Sequence, residues 1–258
     1  MSFRKKLACG LFAAGLAGPA VALSIFTGTG TGPGGVPVSA SASFAFSGNT
    51  LTITLANTSG SNTLQDVPGS TLTGLFFDLT GNPTLTPMSA TVAAGSSIIG
   101  TCDLVSCAGV TNVAGEFGYD ETSLPGGADR GISSSGYLST GLPGNIGNFN
   151  GGAAGTDLDN PASLDGINFG IVSTAAFNPN GGLQDEPLIR SAVVFVLTGV
   201  SGLGDSSVSH VSFQYGTALT ELNIPGTPDR PPARDVPEPA TLVLLAAGFI
   251  GLSRKRLR

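Results

Sequence analysis

Apolar and polar residues alternate with a period of two over much of the chain. Ala40 to Ser47 alternates small polar and apolar residues, and Leu51 to Leu55 alternates leucine or isoleucine with threonine. Gly48-Asn49, between them, is a turn signal. Because successive side chains of a strand point to opposite faces, this pattern predicts a β-hairpin with one buried face.

Other apolar runs predict further strands. The strongest is Ala192 to Leu197, an unbroken run rich in β-branched residues that we expect in the core. Val208 to Tyr215 alternates again and is predicted to be the last strand. The remaining candidates are Leu72 to Leu79, Thr91 to Ile99 and Gly166 to Thr174.

Segments poor in large apolar residues separate these runs. Thr27 to Pro37 is predicted to be a flexible lead-in, and Ala114 to Asn160 to form long surface loops. No window between the two ends of the chain shows a convincing period of 3.6 residues. The sequence therefore predicts one all-β domain over residues 23–224, a single β-sandwich or jelly-roll-like fold.

Both ends of the chain differ from this middle part. At the start, Arg4-Lys5-Lys6 precedes the apolar stretch Leu7 to Leu16, and the small residues Ala20-Val21-Ala22 follow. This is the pattern of a secretory signal peptide over residues 1–22, with the mature chain beginning at Leu23. We expect export through the Sec translocon and cleavage by signal peptidase.

The C-terminus has three parts in a fixed order. The prolines between 225 and 235 predict a stiff, extended linker. Val236-Pro237-Glu238-Pro239 follows it, and then Ala240 to Ser253, which has no charge and is predicted to be a transmembrane helix. The last part is the basic tail of Arg254, Lys255, Arg256 and Arg258, which the positive-inside rule places on the cytoplasmic side.

This arrangement resembles the PEP-CTERM sorting signal of Gram-negative bacteria. The matching residues are Val236, Pro237, Glu238 and Pro239, the apolar helix 240–253 and the basic residues after it. The resemblance implies that exosortase recognises the motif as a processing partner. It also implies an inner-membrane intermediate, followed by release to the cell surface or an exopolysaccharide matrix.

The net charge of the segment between the two ends limits the classes of partner that it can bind. Between Leu23 and Asp235 the chain has four arginines, no lysine and 16 acidic residues, a formal charge of −12. Such a domain is a poor candidate for binding nucleic acid or anionic lipid. Its composition suits solubility outside the cell or the binding of cations.

Two cysteines remain after signal cleavage, Cys102 and Cys107. An even pair in an oxidising compartment predicts a disulfide. A redox or metal-binding pair is the alternative, against which the spacing and the lack of a nearby histidine both argue.

Few residues are suited to catalysis. His210 is the single histidine, and Gly204-Asp205-Ser206 faintly resembles the nucleophile motif of certain esterases. We interpret His210 as an ordinary strand residue. The 16 acids always supply some pair for glycosidase chemistry, so the sequence neither supports nor excludes that reaction.

Two binding hypotheses remain. Asp157, Asp159 and Asp165 lie in one Gly-rich loop whose oxygen ligands suit calcium, although a solvated loop is the better explanation. Tyr119 and Tyr137 are the candidates for stacking against a sugar, since the chain has no tryptophan. No other cofactor is expected.

The sequence as a whole predicts a non-enzymatic protein of the cell surface, exopolysaccharide matrix or biofilm. A carbohydrate- or calcium-binding module in the same location is the alternative, and a secreted hydrolase is the third hypothesis.

Overall fold

The computed structural model describes residues 22–60, 67–121, 124, 127–135, 149, 158–160, 163–164, 166–173, 179–180, 182–218 and 220–229. The chain divides into two units, Met1–Pro228 and Asp229–Arg258. Of the predicted signal peptide over residues 1–22, all but Ala22 lies outside the described residues, and so does the sorting signal over 236–258. Within those residues, no helix is long and apolar enough to cross a membrane.

Fourteen strands occur in the described ranges, together with short 3-10 turns at Pro33–Gly35, Pro68–Ser70, Ala114–Glu116 and Asp205–Ser207. The strands are β1 (Ala22–Thr31), β2 (Pro37–Ser47), β3 (Thr50–Asn57), β4 (Leu72–Leu79), β5 (Thr86–Val92), β6 (Ser97–Ile99), β7 (Gly118–Asp120), β8 (Arg130–Ser133), β9 (Ile171–Val172), β10 (Leu188–Arg190), β11 (Ala192–Thr198), β12 (Val208–Tyr215), β13 (Asn223–Pro225) and β14 (Thr227–Pro228).

The strands form two sheets. Sheet 1 has the order β14-β1-β2-β3-β11-β5, and sheet 2 has the order β13-β12-β4-β9-β10-β6, with β8 paired to β4 and β7 to β8. Pairing is antiparallel except between β9 and β10. The all-β prediction is confirmed, and the sheets form a sandwich-like fold.

Aromatic side chains from both sheets fill the core. Phe44 of sheet 1 meets Phe77 of sheet 2 edge to face, with ring centroids 5.2 Å apart, and also contacts Phe26 at 5.7 Å. Further along the core, Phe195 of β11 packs against Phe117, with ring centroids 5.0 Å apart. Such edge-to-face pairs add to the hydrophobic stabilisation from burial.

The prediction of a flexible lead-in at Thr27 to Pro37 is wrong for most of that segment. Strand β1 spans ten residues and pairs with β2 along its whole length. Its glycines suit a strand here because sheet 2 approaches closely: a Cβ on Gly28 would lie 2.8 Å from the Phe213 ring, and one on Gly30 would lie 2.6 Å from Ile224. Composition typical of a loop therefore forms a strand with close packing beneath it.

Three other predictions need correction. The candidate strand Thr91 to Ile99 is two strands in different sheets, β5 and β6, separated by a turn in which Gly95 has a φ of 82°. The candidate Gly166 to Thr174 shrinks to Ile171–Val172. In the predicted surface loops of 114–160, β7 and β8 are strands, and Phe117 and Ile132 are buried.

The C-terminal boundary of the domain also moves. Val208 to Tyr215 is strand β12 but not the last strand, because β13 and β14 follow it. Pro225 pairs with Ser212, and Pro228 pairs with Phe26 of β1. The linker predicted to begin at residue 225 therefore cannot start before residue 229. Proline is tolerated in these positions because β13 and β14 are edge strands.

Candidate functional site

The disulfide loop of Cys102 and Cys107 lies beside a group of acidic residues. The structure joins the two cysteines, whose Cα atoms are 5.6 Å apart, a separation normal for a disulfide. The backbone N–H of Asp103 donates to Asp159 Oδ1 at 2.6 Å, and that of Leu104 donates to Leu158 O at 3.2 Å. These bonds hold the small loop against the segment 158–160.

We call Asp103, Asp159, Asp185 and Glu186 the carboxylate cluster. Asp159 is only 6% exposed, and its Oδ2 accepts a hydrogen bond from Asn168 Nδ2 at 2.9 Å. Partial burial raises the pKa of Glu186, and the negative charges of Asp159, Asp103 and Asp185 raise that pKa further. The neighbouring charges that raise the pKa of Glu186 are therefore all carboxylates.

The predicted calcium ligands and the carboxylate cluster have one residue in common. Asp159 is a member, whereas Asp157 and Asp165 lie outside the described residues. Asp103, Asp185 and Glu186 come from segments distant in sequence, so their spacing gave no signal. Across the described part of the chain, no three His, Cys, Asp or Glu side chains are grouped so as to hold a metal ion.

A second polar group surrounds Arg130, whose side chain is fully buried between β7, β8 and the segment 82–85. Its Nη2 donates to Asn82 Oδ1 at 2.6 Å and to the carbonyl oxygen of Pro83. Its Nε lies 3.9 Å from Glu121 Oε1, and neither Nε nor Nη1 has a hydrogen-bond partner. Glu121 is the acidic residue paired with this buried cation.

Glu121 also accepts hydrogen bonds from neighbouring groups. Its Oε1 accepts hydrogen bonds from the Tyr119 hydroxyl at 2.7 Å and from the Leu85 backbone N–H at 2.8 Å. Burial raises the pKa of the Tyr119 phenol well above its usual value, and the hydrogen bond to Glu121 acts in the same direction. Tyr119 is 4% exposed, so it offers no ring to a sugar. The proposal of Tyr119 as a sugar-stacking residue is wrong, and Tyr137 lies outside the described residues.

The residues of the esterase-like motif are not brought together with the histidine. Asp205 and Ser206 lie in a 3-10 turn, where the Ser206 backbone N–H donates to Asp205 Oδ1 at 2.9 Å. The His210 ring instead contacts Asp78 on β4, with Nδ1 and Oδ2 2.5 Å apart. His210 lies in strand β12, as the sequence predicted, at a bulge where its φ is 47°, and its side chain is exposed.

Sequence reasoning missed Glu116 and Arg130, which lie in the predicted surface loops. Glu116 is 1% exposed and accepts hydrogen bonds from the Leu158 backbone N–H at 2.7 Å and from the Ser163 hydroxyl. One signal was present for Arg130: it is one of only four basic residues between Leu23 and Asp235. A cation kept in so acidic a segment is a candidate for a structural ion pair.

A folded all-β unit followed by a short C-terminal signal defines the class of protein. The family model of the PEP-CTERM protein-sorting motif matches residues 235–257. The chain therefore carries a sorting signal of the exosortase-dependent kind, which implies export, sorting to the cell surface and exosortase as the processing partner. No curated protein and no solved structure matches the chain.

Proposed function

We propose that the chain is a non-catalytic protein of the cell surface or extracellular polysaccharide matrix, sorted through an inner-membrane intermediate. The observation that carries this proposal is the sorting motif over residues 235–257. In the intermediate, the Sec translocon and signal peptidase have acted at the N-terminus. The apolar segment 240–253 lies in the inner membrane, with the basic residues 254–258 on the cytoplasmic side.

The composition and the described residues support a role without catalysis. Within the described residues, no serine, threonine or cysteine side chain is hydrogen-bonded to the His210 ring, whose Nδ1 contacts Asp78. The formal charge of −12 between residues 23 and 235 favours solubility outside the cell and disfavours nucleic acid as a partner.

Replacing the acidic residue of the motif tests the sorting step. Glu238→Ala is expected to leave uncleaved precursor in the membrane fraction, because exosortase recognises the Val-Pro-Glu-Pro motif. The matched control is Asp205→Ala, which removes an exposed carboxylate of the folded unit and is expected to be released normally. Immunoblots of membrane and medium fractions measure both. Normal release of the Glu238→Ala protein would contradict the sorting proposal.

A second candidate function is calcium binding by the segment that contains Asp157, Asp159 and Asp165, as the sequence suggested. The supporting observation is the concentration of negative charge beside this segment: burial raises the pKa of Glu186, and the charges of Asp159, Asp103 and Asp185 raise it further. A bound cation would relieve this repulsion and favour the folded state.

The calcium hypothesis predicts a higher melting temperature in calcium than in EDTA. At 100 times the dissociation constant, binding stabilises by about 2.7 kcal/mol, roughly 5–10 °C for a domain of this size. Asp159→Asn is expected to abolish the shift and Asp205→Asn to retain it, as measured by thermal unfolding of the full chain. Equal melting temperatures in the two buffers would remove this second function.

A further inference from the structure

The outward side of sheet 1 is lined by small hydroxyl and methyl groups. We call this side of the sheet the hydroxyl face. On β1 and β2 it comprises the odd-numbered residues of 23–31 and 39–47. On β3 and β11 it comprises the even-numbered residues of 50–56 and 194–198. The strand register places these positions side by side, as in the row of Ile25, Ser43, Thr54 and Val194. The intervening residues, such as Phe44 and Ile53, point into the core.

The hydroxyl face carries no charge. Eleven of its 17 positions are serine or threonine, and the others are alanine, valine, isoleucine or leucine. A soluble surface is commonly about 25–35% charged, and the segment 23–235 has a formal charge of −12. None of the acidic residues of this segment therefore lies on the hydroxyl face.

The threonine and serine side chains are open to a ligand. Thr27, Thr29 and Thr31 are exposed, and the members on β2 and β3 are mostly half-buried, as expected for short side chains within a flat sheet. Within the described residues, Ser39 is the one member with a side-chain hydrogen bond, accepted from Thr58 Oγ1 at 3.0 Å. Neighbouring groups are spaced by about 4.8 Å across the strands and about 6.7 Å along them.

A second copy of the chain fits this face poorly. Four strands of this length cover on the order of 500 Å², less than the roughly 800 Å² per partner of a standard protein interface. The side chains are also too short to interdigitate, and packing two such faces together would remove many hydroxyls from water without assured partners.

Charged polymers fit it poorly as well. The face has no lysine or arginine to pair with uronate, sulfate or phosphate groups, and the acidic domain around it repels polyanions. A neutral sugar polymer brings its own hydroxyls as donors and acceptors, and its C–H groups can contact the threonine, alanine and valine methyls. Stacking on the two described tyrosines is not an alternative route, because Tyr119 and Tyr215 are buried.

We propose that the hydroxyl face binds a neutral, extended polysaccharide. The inference rests on the proposed function only for the presence of such a polymer outside the cell. A flat, extended chain can lie along the rows of the sheet, with hydroxyl groups bonded to Ser43, Thr52 and Thr54. Binding of this kind needs neither an aromatic platform nor a metal ion.

The test uses the full chain, purified in detergent, and sedimentation with regenerated amorphous cellulose as the neutral probe. Alginate gel is the anionic comparison. Wild type is expected to sediment with cellulose and not with alginate. Thr52→Val combined with Thr54→Val keeps the shape of both side chains but removes two hydroxyls, and is expected to weaken retention about tenfold. The control, Ser206→Ala combined with Ser209→Ala, removes two exposed hydroxyls elsewhere and should retain wild-type binding.

Several outcomes would overturn the inference. They are no retention on cellulose, equal retention on alginate, or equal retention of the double valine variant at an unchanged melting temperature. Self-association that the double valine variant abolishes, without cellulose binding, would assign the face to a second copy instead. The Glu238→Ala protein should bind cellulose like wild type, so failure of binding and failure of sorting are separate results.

Discussion

Glu121→Ala is expected to lower the free energy of unfolding by about 3 kcal/mol. The reason is the buried Arg130 side chain, which is 0% exposed and has Glu121 as its neighbouring carboxylate at 3.9 Å. Removing the carboxylate leaves a buried cation without a counter-charge. The Tyr119 hydroxyl and the Leu85 N–H also lose their acceptor. Urea denaturation of the variant and wild type measures the difference.

A double variant separates the charge effect from lost packing. Combining Glu121→Ala with Arg130→Met removes the buried cation as well, so this protein should be more stable than Glu121→Ala alone. Asp205→Ala, which removes an exposed carboxylate, is the control and should change stability by no more than about 0.5 kcal/mol. A loss below about 1 kcal/mol for Glu121→Ala would show that Arg130 does not depend on this carboxylate.

Phe195→Ala is expected to lower the free energy of unfolding by about 4 kcal/mol, the middle of the range for an aromatic residue removed from a core. Phe195 is 0% exposed, and its ring lies 5.0 Å from the rings of both Phe117 and Phe149. The truncation therefore leaves a cavity lined by two other rings. For a domain with a total stability of about 5–15 kcal/mol, this loss is a large fraction.

Phe195→Leu is the matched control, because it keeps an apolar side chain of moderate volume in the same place. It should cost clearly less than the alanine variant in the same urea titration. If the alanine variant unfolds at the same denaturant concentration as wild type, the contacts with Phe117 and Phe149 do not determine the stability of this part of the core.

Strands with a regular pattern could be predicted from the sequence. The hairpin of β2 and β3 alternates strictly, and β4 and β11 are rich in large apolar residues, so the local sequence alone indicates their structure. Strand β1 could not be predicted in this way. Its Thr-Gly repeat forms a strand because Phe213 and Ile224 of the other sheet lie directly beneath it, and such contacts depend on the whole fold.

Some functional features are likewise visible in the local sequence, whereas others depend on contacts in the whole fold. The sorting signal is read locally, from consecutive residues in a fixed order, and the motif match supports it. The carboxylate cluster joins Asp103 to Asp159 across 56 positions, and no spacing rule reports such a contact. Glu116 and Arg130 were missed because their neighbours are the glycines, serines and aspartates that usually indicate loops.

The pairing of β14 with β1 has a consequence for the order of events during export. Because β1 pairs with β14, at Phe26 with Pro228 and Thr27 with Thr227, this edge of sheet 1 cannot be completed until the chain has been exported as far as residue 228. Strand β14 ends eight positions before Val236, the first residue of the motif. A cut at the motif would therefore fall outside the pairing of β14 with β1 and would leave that pairing intact.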